Sequence, residues 1–243
     1  MSTPVPQLNS SEQTKFWQDM PNVYKGDVVG RKVLAWSKKF VGQRVLDLGA
    51  ANGSLLRLIK SQCPQVKTVV GVDIAPKSPE VIKADCTRLP FSNGDFDTLF
   101  FTDVIEHLSD TDLTKCLAEM NRVLSNGGHA IVTTLNKEDL KNLEVQCPYC
   151  DHSFHRWGHF QVFDEPRVRQ LFHDFGFEIV KLRTVHIGRW NRYGFLVPLL
   201  HSLGVHHFFR KGTWDYDLLF IAQKTHALSA QRGPHLKSLS ISS

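Results

Sequence analysis

No part of this 243-residue chain supplies the 18 or more consecutive apolar residues that mark a membrane-spanning helix; the longest candidate, Phe195-Leu-Val-Pro-Leu-Leu200, is far too short. Cysteine is scarce and odd in number. Of the five, at 63, 86, 116, 147 and 150, only the last two lie close together. That pattern argues against a disulfide-framed secreted module and for a reducing compartment. Residues 1–10 carry neither a basic n-region nor an apolar h-region, so no signal peptide is read and a cytoplasmic location is expected. Neither sign of charge is in large excess. Against 29 Lys and Arg stand 24 Asp and Glu, a net +5 that permits an anionic partner without requiring one. With 42% hydrophobic and 22% charged residues, the composition excludes a largely disordered chain.

Between the ends, β-like apolar runs alternate with helix-like stretches. Arg44–Leu48, Thr68–Asp73, Phe96–Phe101, His129–Thr134, Phe177–Val185 and Tyr216–Gln223 read as strands. Ser54–Lys60, Asp112–Leu124 and Asp164–Phe175 read as helices, the second stopped by Asn126-Gly-Gly128 and the third by Gly176. Such alternation predicts a doubly wound α/β sheet, whose ligands bind at the carboxyl ends of the strands. One domain is expected over 13–224, with a flexible N-terminus at 1–12 and a flexible tail at 225–243. Two insertions, 136–163 and 186–215, interrupt the rhythm, and loops of that size are usually functional or locally structured.

The strongest local signal is Val45-Leu-Asp-Leu-Gly-Ala-Ala-Asn-Gly53. Its glycines let a ligand approach the backbone between a strand and a helix. Asp47 stands inside the strand just ahead of the loop, where a buried negative charge opposes a pyrophosphate and suits a cation. Asp73 lies 20 residues beyond Gly53, at the end of the next strand, where a carboxylate can accept ribose hydroxyls. Asp85-Cys86 is placed to meet an adenine. Together these features predict an adenosine ligand with a cationic amino-acid end, and S-adenosylmethionine fits.

The ordered series Asp47-Leu-Gly-Ala-Ala-Asn-Gly53, Val72-Asp73-Ile74, Ala84-Asp85-Cys86, Leu89-Pro-Phe91, Asp103-Val-Ile-Glu-His-Leu108 and Glu119-Met-Asn-Arg-Val-Leu-Ser-Asn-Gly-Gly128 resembles the class I S-adenosylmethionine-dependent methyltransferases. The resemblance covers about Val45–Thr134 and, more loosely, the chain to Gln223. Ala51 replaces the middle glycine of the usual first motif. The resemblance implies a Rossmann-like, mostly parallel sheet of seven strands with helices on both faces and an antiparallel last pair. It also implies roles. Gly49, Ala51 and Gly53 shape the loop under the methionine moiety, and Asp47 helps to hold its ammonium. Asp73 binds ribose, Ile74 packs on adenine, Asp85 and the Cys86 amide flank the adenine edge, and Thr102 contacts the methionine end.

Methyl transfer from a sulfonium is an in-line displacement, and a base is needed only when the acceptor must lose a proton. His107 is the first choice for that base, and Asp103 and Glu106 are second choices. Thr102-Asp-Val-Ile is not the Asn/Asp-Pro-Pro-aromatic pattern of enzymes that methylate exocyclic amines, and no Pro-Cys follows the strand. Nucleic acid is therefore disfavoured, and a small-molecule acceptor, through a hydroxyl oxygen, is expected. An RNA methyltransferase and a catalytically silent donor-binding partner subunit remain open as other readings.

Cys147-Pro-Tyr-Cys150-Asp-His-Ser-Phe-His155-Arg-Trp-Gly-His159 has the spacing C-x2-C-x4-H-x3-H. Cys147, Cys150, His155 and His159 can close a tetrahedral structural zinc shell, with His152 an alternative ligand. The competing reading is a thiol pair whose neighbouring histidines touch substrate. The aromatic, basic segment 186–215 can serve as a lid, a contact for a lipid-linked acceptor or a homodimer surface. Phe16, Trp17 and Tyr24 are read as a flap over the cofactor.

Overall fold

The computed structural model describes residues 10–20, 26–149, 151, 153–185 and 216–226. Segment 186–215 and residues Tyr24, Cys150 and His152 lie outside these.

Two helices, α1 (Ser10–Asp19) and α2 (Gly26–Ser37), precede the first strand. Then follow β1 (Arg44–Leu48), α3 (Ser54–Gln62), β2 (Thr68–Asp73), β3 (Val81–Lys83), β4 (Phe96–Thr102), α4 (Asp110–Val123) and β5 (Leu124–Asn136). A small hairpin, β6 (Glu144–Gln146) and β7 (Ser153–His155), occupies the first insertion, and α5 (Glu165–Asp174), β8 (Phe177–Val185) and β9 (Tyr216–Lys224) complete the domain. The main sheet has seven strands in the order β3-β2-β1-β4-β5-β9-β8. The first five run parallel, and β9 is antiparallel to both β5 and β8.

Apolar runs become central strands here because both faces are covered. Side chains alternate across a sheet, so each run divides between two cores. Leu46, Leu99, Phe101, Ala130, Val132, Leu218 and Phe220 join α4 and α5 through Leu117, Met120 and Phe172. Their neighbours Val45, Phe100, Ile131, Leu219 and Ile221 join α2 and α3 through Leu34, Leu55 and Ile59.

Several boundaries move by one or two residues from the sequence expectation, and the starts of α4 and β5 differ for identifiable reasons. Helix α4 begins two residues early because the Ser109 hydroxyl accepts the Asp112 amide at 3.1 Å and caps the first turn. Strand β5 begins at Leu124, before the glycine pair. It pairs Phe96 with Leu124, slips, and resumes with Thr98 against His129, so Asn126-Gly-Gly128 lies inside the slip and not in a separating loop. Past β9, Thr225 and His226 are pinned: the Thr225 amide donates to the Gly176 carbonyl and Asn121 Nδ2 to the His226 carbonyl. Among the described residues, no helix is long and apolar enough to cross a membrane.

Candidate active site

The chain leaves β1 at Leu48 and turns into α3 through Gly49–Gly53. The amides of Gly49 and Ala50 both donate to the Val72 carbonyl, which locks the loop to the end of β2. Gly49 has φ +88°, and a Cβ there would overlap the Val104 side chain, so glycine is required twice over. Ala51 sits at φ +44°, a costly conformation for a residue with a Cβ. Its amide donates to Asp73 Oδ2 at 2.9 Å and its carbonyl accepts from the Lys77 amide, which hold it there.

This loop walls one end of a cavity of about 480 Å³ at the carboxyl edge of the sheet. Gly49, Ala51, Asp73, Ile74, Asp85, Cys86 and Thr102 all border it. Gly53 does not. At φ +73° it is the N-cap of α3, and its part is to shape the loop. Asp47 is also set back from the cavity, 1% exposed, with no hydrogen-bond partner for Oδ1 among the described residues. Burial, and then the Asp73 charge, push its carboxyl up to about 7.

Beyond Thr102 the chain bends sharply at Asp103, which has φ +53°; its amide donates to the Thr133 carbonyl, and its Oδ1 accepts the Thr133 hydroxyl at 2.6 Å. The 3-10 turn Ile105–His107 follows. Glu106 is 2% exposed, and its Oε2 accepts the Thr134 hydroxyl at 3.0 Å. Burial and then the Asp103 charge hold the Glu106 carboxyl well above the usual carboxylate range. His107 Nδ1 donates to the Gly158 carbonyl at 3.2 Å, and the Trp17 ring of α1 meets the imidazole edge-on at 4.7 Å. Burial, then the His159 charge, lower the His107 pKa to about 3, so the imidazole is neutral at pH 7.

The 136–163 insertion supplies the facing wall. Its ends are tied together, the Lys137 amide donating to the Phe163 carbonyl at 2.7 Å. Its last turn is tied to the 105–107 turn, because the Phe160 and Gln161 amides both donate to the Glu106 carbonyl. This brings His159, 8% exposed, to the cavity. His159 Nδ1 lies 2.6 Å from Glu138 Oε2, while His155 Nε2 faces Glu138 Oε1 at 3.6 Å, and the two imidazoles stack at 4.6 Å. Of the four expected zinc ligands, His155 and His159 are thus brought together, on Glu138. Cys147 follows β6 at the turn of the hairpin, whereas His155 pairs with Glu144 at its other end.

Sequence reasoning missed Glu138. Its signal was position, two residues beyond the carboxyl end of β5, but nothing local pointed to an imidazole partner 21 residues away. Trp157 and Met20 also border the cavity. Among its described lining residues, Asp73, Asp85, Asp103, Glu106, Asp112 and Asp217 face a single lysine, Lys77.

Residues 16–182 match the protein family described as "Methyltransferase domain". A protein of Methanocaldococcus jannaschii described only as uncharacterized is 25% identical over 181 residues, 70% of this chain and 74% of that one. Demethylmenaquinone methyltransferase of Bacteroides fragilis is 29% identical over 125 residues, 45% of this chain, and the match spans half of that relative's length (50%). In three dimensions, 1,6-didemethyltoxoflavin-N1-methyltransferase of Burkholderia thailandensis, solved with S-adenosylhomocysteine, superimposes with a TM-score of 0.64 at 15% identity, covering 92% of this chain and 94% of its own, and so shares the fold.

Proposed function

Because this chain belongs to the methyltransferase-domain family, we propose that it moves the methyl group of S-adenosylmethionine onto a hydroxyl oxygen of a small-molecule acceptor. The observation that carries the reading is Asp47: a buried carboxylate whose Oδ1 has no hydrogen-bond partner among the described residues, beneath a glycine loop that borders a cavity, calls for a cationic ligand. Asp47 would help hold the donor's ammonium, Asp73 its ribose, Ile74, Asp85 and Cys86 its adenine, and Thr102 its methionine end. When bound, the donor supplies a methyl carbon on a positively charged sulfur, and that carbon–sulfur bond breaks as the acceptor oxygen bonds the carbon.

The chain's own residues then have two tasks, alignment and removal of one proton. The Gly158 carbonyl can only accept, so His107 Nδ1 carries the hydrogen and Nε2 keeps the lone pair. His107 Nε2 is therefore the proposed proton acceptor by geometry, but burial that lowers its pKa to about 3 makes it a weaker base than its ordinary value near neutrality led one to expect, and Asp103 stands second. Among the described lining residues, Asp73, Asp85, Asp112 and Asp217 against Lys77 would repel a phosphodiester, which favours a small molecule over RNA. An apolar, lipid-linked acceptor of the quinol kind is supported by Trp157 at the cavity and by the exposed Val145–Phe154 pair on the adjoining hairpin. The name of the Bacteroides fragilis relative fits the quinone class of acceptor, whereas ubiquinone/menaquinone relatives are named C-methyltransferases, so the choice of oxygen rests on the site alone.

The test is calorimetry with S-adenosylhomocysteine, followed by mass spectrometry of metabolite and lipid extracts treated with protein and donor. Product gaining one methylene, with fragments that place it on oxygen, is the expected result. Methyl on carbon would overturn the assigned atom, and donor binding without any product would favour a silent partner subunit.

A further inference from the structure

We infer that Glu106, His107 and His159 form a divalent transition-metal site at the acceptor end of the cavity, with Glu138 and the Gly158 carbonyl as its outer shell. One ligand atom from each of the three lies within 4.8 Å of the others. Two ligands about 2.1 Å from one tetrahedral ion stand roughly 3.4 Å apart, so an inward shift of about an ångström completes the set.

Tautomers single out this group. A metal-bound imidazole presents one nitrogen's lone pair and donates its other N–H to a carbonyl or carboxylate. Both histidines meet that pattern: His107 Nδ1 donates to the Gly158 carbonyl at 3.2 Å, and His159 Nδ1 to Glu138 Oε2 at 2.6 Å. Each therefore offers Nε2. The third ligand, Glu106, is oriented by the Thr134 hydroxyl on Oε2.

A second cluster, Glu138, His155 and His159, also has its ligand atoms within 4.8 Å of one another but fails the tautomer criterion. The His159 amide donates to His155 Nδ1 at 3.1 Å, so His155 Nε2 carries the ring hydrogen and has no lone pair for an ion. That hydrogen faces Glu138 Oε1 at 3.6 Å, and both of these atoms are buried without a hydrogen-bond partner among the described residues. Glu138 is thereby a buried carboxylate flanked by two imidazole N–H groups, a positioning residue that orients His159.

The site differs from the zinc shell expected from the sequence in its ligands and in its purpose. Two imidazoles and a carboxylate suit zinc and similar borderline ions. All three residues border the cavity, which leaves a coordination position open to the acceptor, as in catalytic and not structural sites. The role of the ion rests on the proposed hydroxyl acceptor: it would bind and orient that hydroxyl and ease its loss of a proton. His107 is then a ligand, and the proton passes to Asp103, which borders the same cavity.

The experiment uses the full chain, stripped with chelator, dialysed and titrated with zinc, with bound ion counted by elemental analysis and S-adenosylhomocysteine binding followed by calorimetry. The expected result is one zinc per chain, kept in Cys147→Ser and lost in Glu106→Gln and His159→Ala. Glu138→Gln should weaken it about 10- to 100-fold. Should His159→Ala fail to fold, the isosteric Glu106→Gln decides. No bound zinc in the wild type, or zinc that disappears with Cys147→Ser and persists in Glu106→Gln, overturns the site. The calorimetric arm keeps the donor reading separate, since a chain can bind S-adenosylhomocysteine without zinc, or zinc without S-adenosylhomocysteine.

Discussion

The Gly158 carbonyl lies 3.2 Å from His107 Nδ1, and this one hydrogen bond joins the 136–163 insertion to the turn that follows β4. It sets the tautomer of His107, and with the Phe160 and Gln161 amides on the Glu106 carbonyl it makes the insertion a wall of the cavity. The insertion is part of the site and not a decoration on the sheet.

Gly49→Ala should abolish donor binding. The added methyl would have to occupy the space of Val104, at a φ of +88° that alanine disfavours, for a cost of about 1–3 kcal/mol from backbone strain alone. Calorimetry with S-adenosylhomocysteine should show no heat, and the melting temperature should fall.

Asp47 should leave a pH signature. Its folded pKa of about 7 lies above the ordinary 3.8, so between those values the folded state holds a proton that the unfolded state has released. Stability of the donor-free protein from this group is therefore fully present below about pH 4 and is lost as pH rises through 7, by at most about 1.4 kcal/mol per pH unit. Asp47→Asn should flatten that slope in urea titrations at pH 5, 6 and 7. It should also weaken S-adenosylhomocysteine at pH 8, where the charge is present to pair with the ammonium. An unchanged slope would remove the assignment.

Ser109→Ala removes the hydroxyl that accepts the Asp112 amide and donates to Asp112 Oδ2 at 2.9 Å. The expected cost is about 1 kcal/mol of unfolding free energy, with donor affinity unaltered. Denaturant midpoints at a constant m-value check it.

Trp17→Ala should separate access from folding. Trp17 borders the cavity and meets His107 edge-on, yet α1 adds no strand to the sheet. Steady-state kinetics should show KM rising at least several-fold with little change in melting temperature. A large loss of thermal stability with an unaltered KM would place Trp17 in the packing of the domain.

Helices and strands were legible wherever one local pattern dominated. Arg44–Leu48, Thr68–Asp73 and Phe177–Val185 occupy the spans expected of them. The start of β5 was not, because Asn126-Gly-Gly128 has the chemistry of a helix stop and the chain uses it for a register slip against β4. Asp73, Ile74, Asp85 and Thr102 could be placed at one cavity from the sequence because they follow consecutive strands in order. His107 was recognised, but its tautomer and neutrality depend on Gly158, 51 residues away.

Periodicity and motif order by themselves determined the doubly wound architecture, the glycine loop and the carboxylates at the strand ends that border the cavity, since each depends on neighbours within a few residues. Which imidazole would meet which carboxylate was decided only in three dimensions. Glu106 comes from the turn after β4, and Glu138, His155 and His159 from well-spaced positions of the 136–163 insertion, and their hydrogen-bond partners are in place only once β5 has paired with β4 and the insertion has folded back on the turn after Thr102. Hydrogen bonds act over about 3 Å, and a sequence carries no record of such distances between residues that lie far apart along the chain.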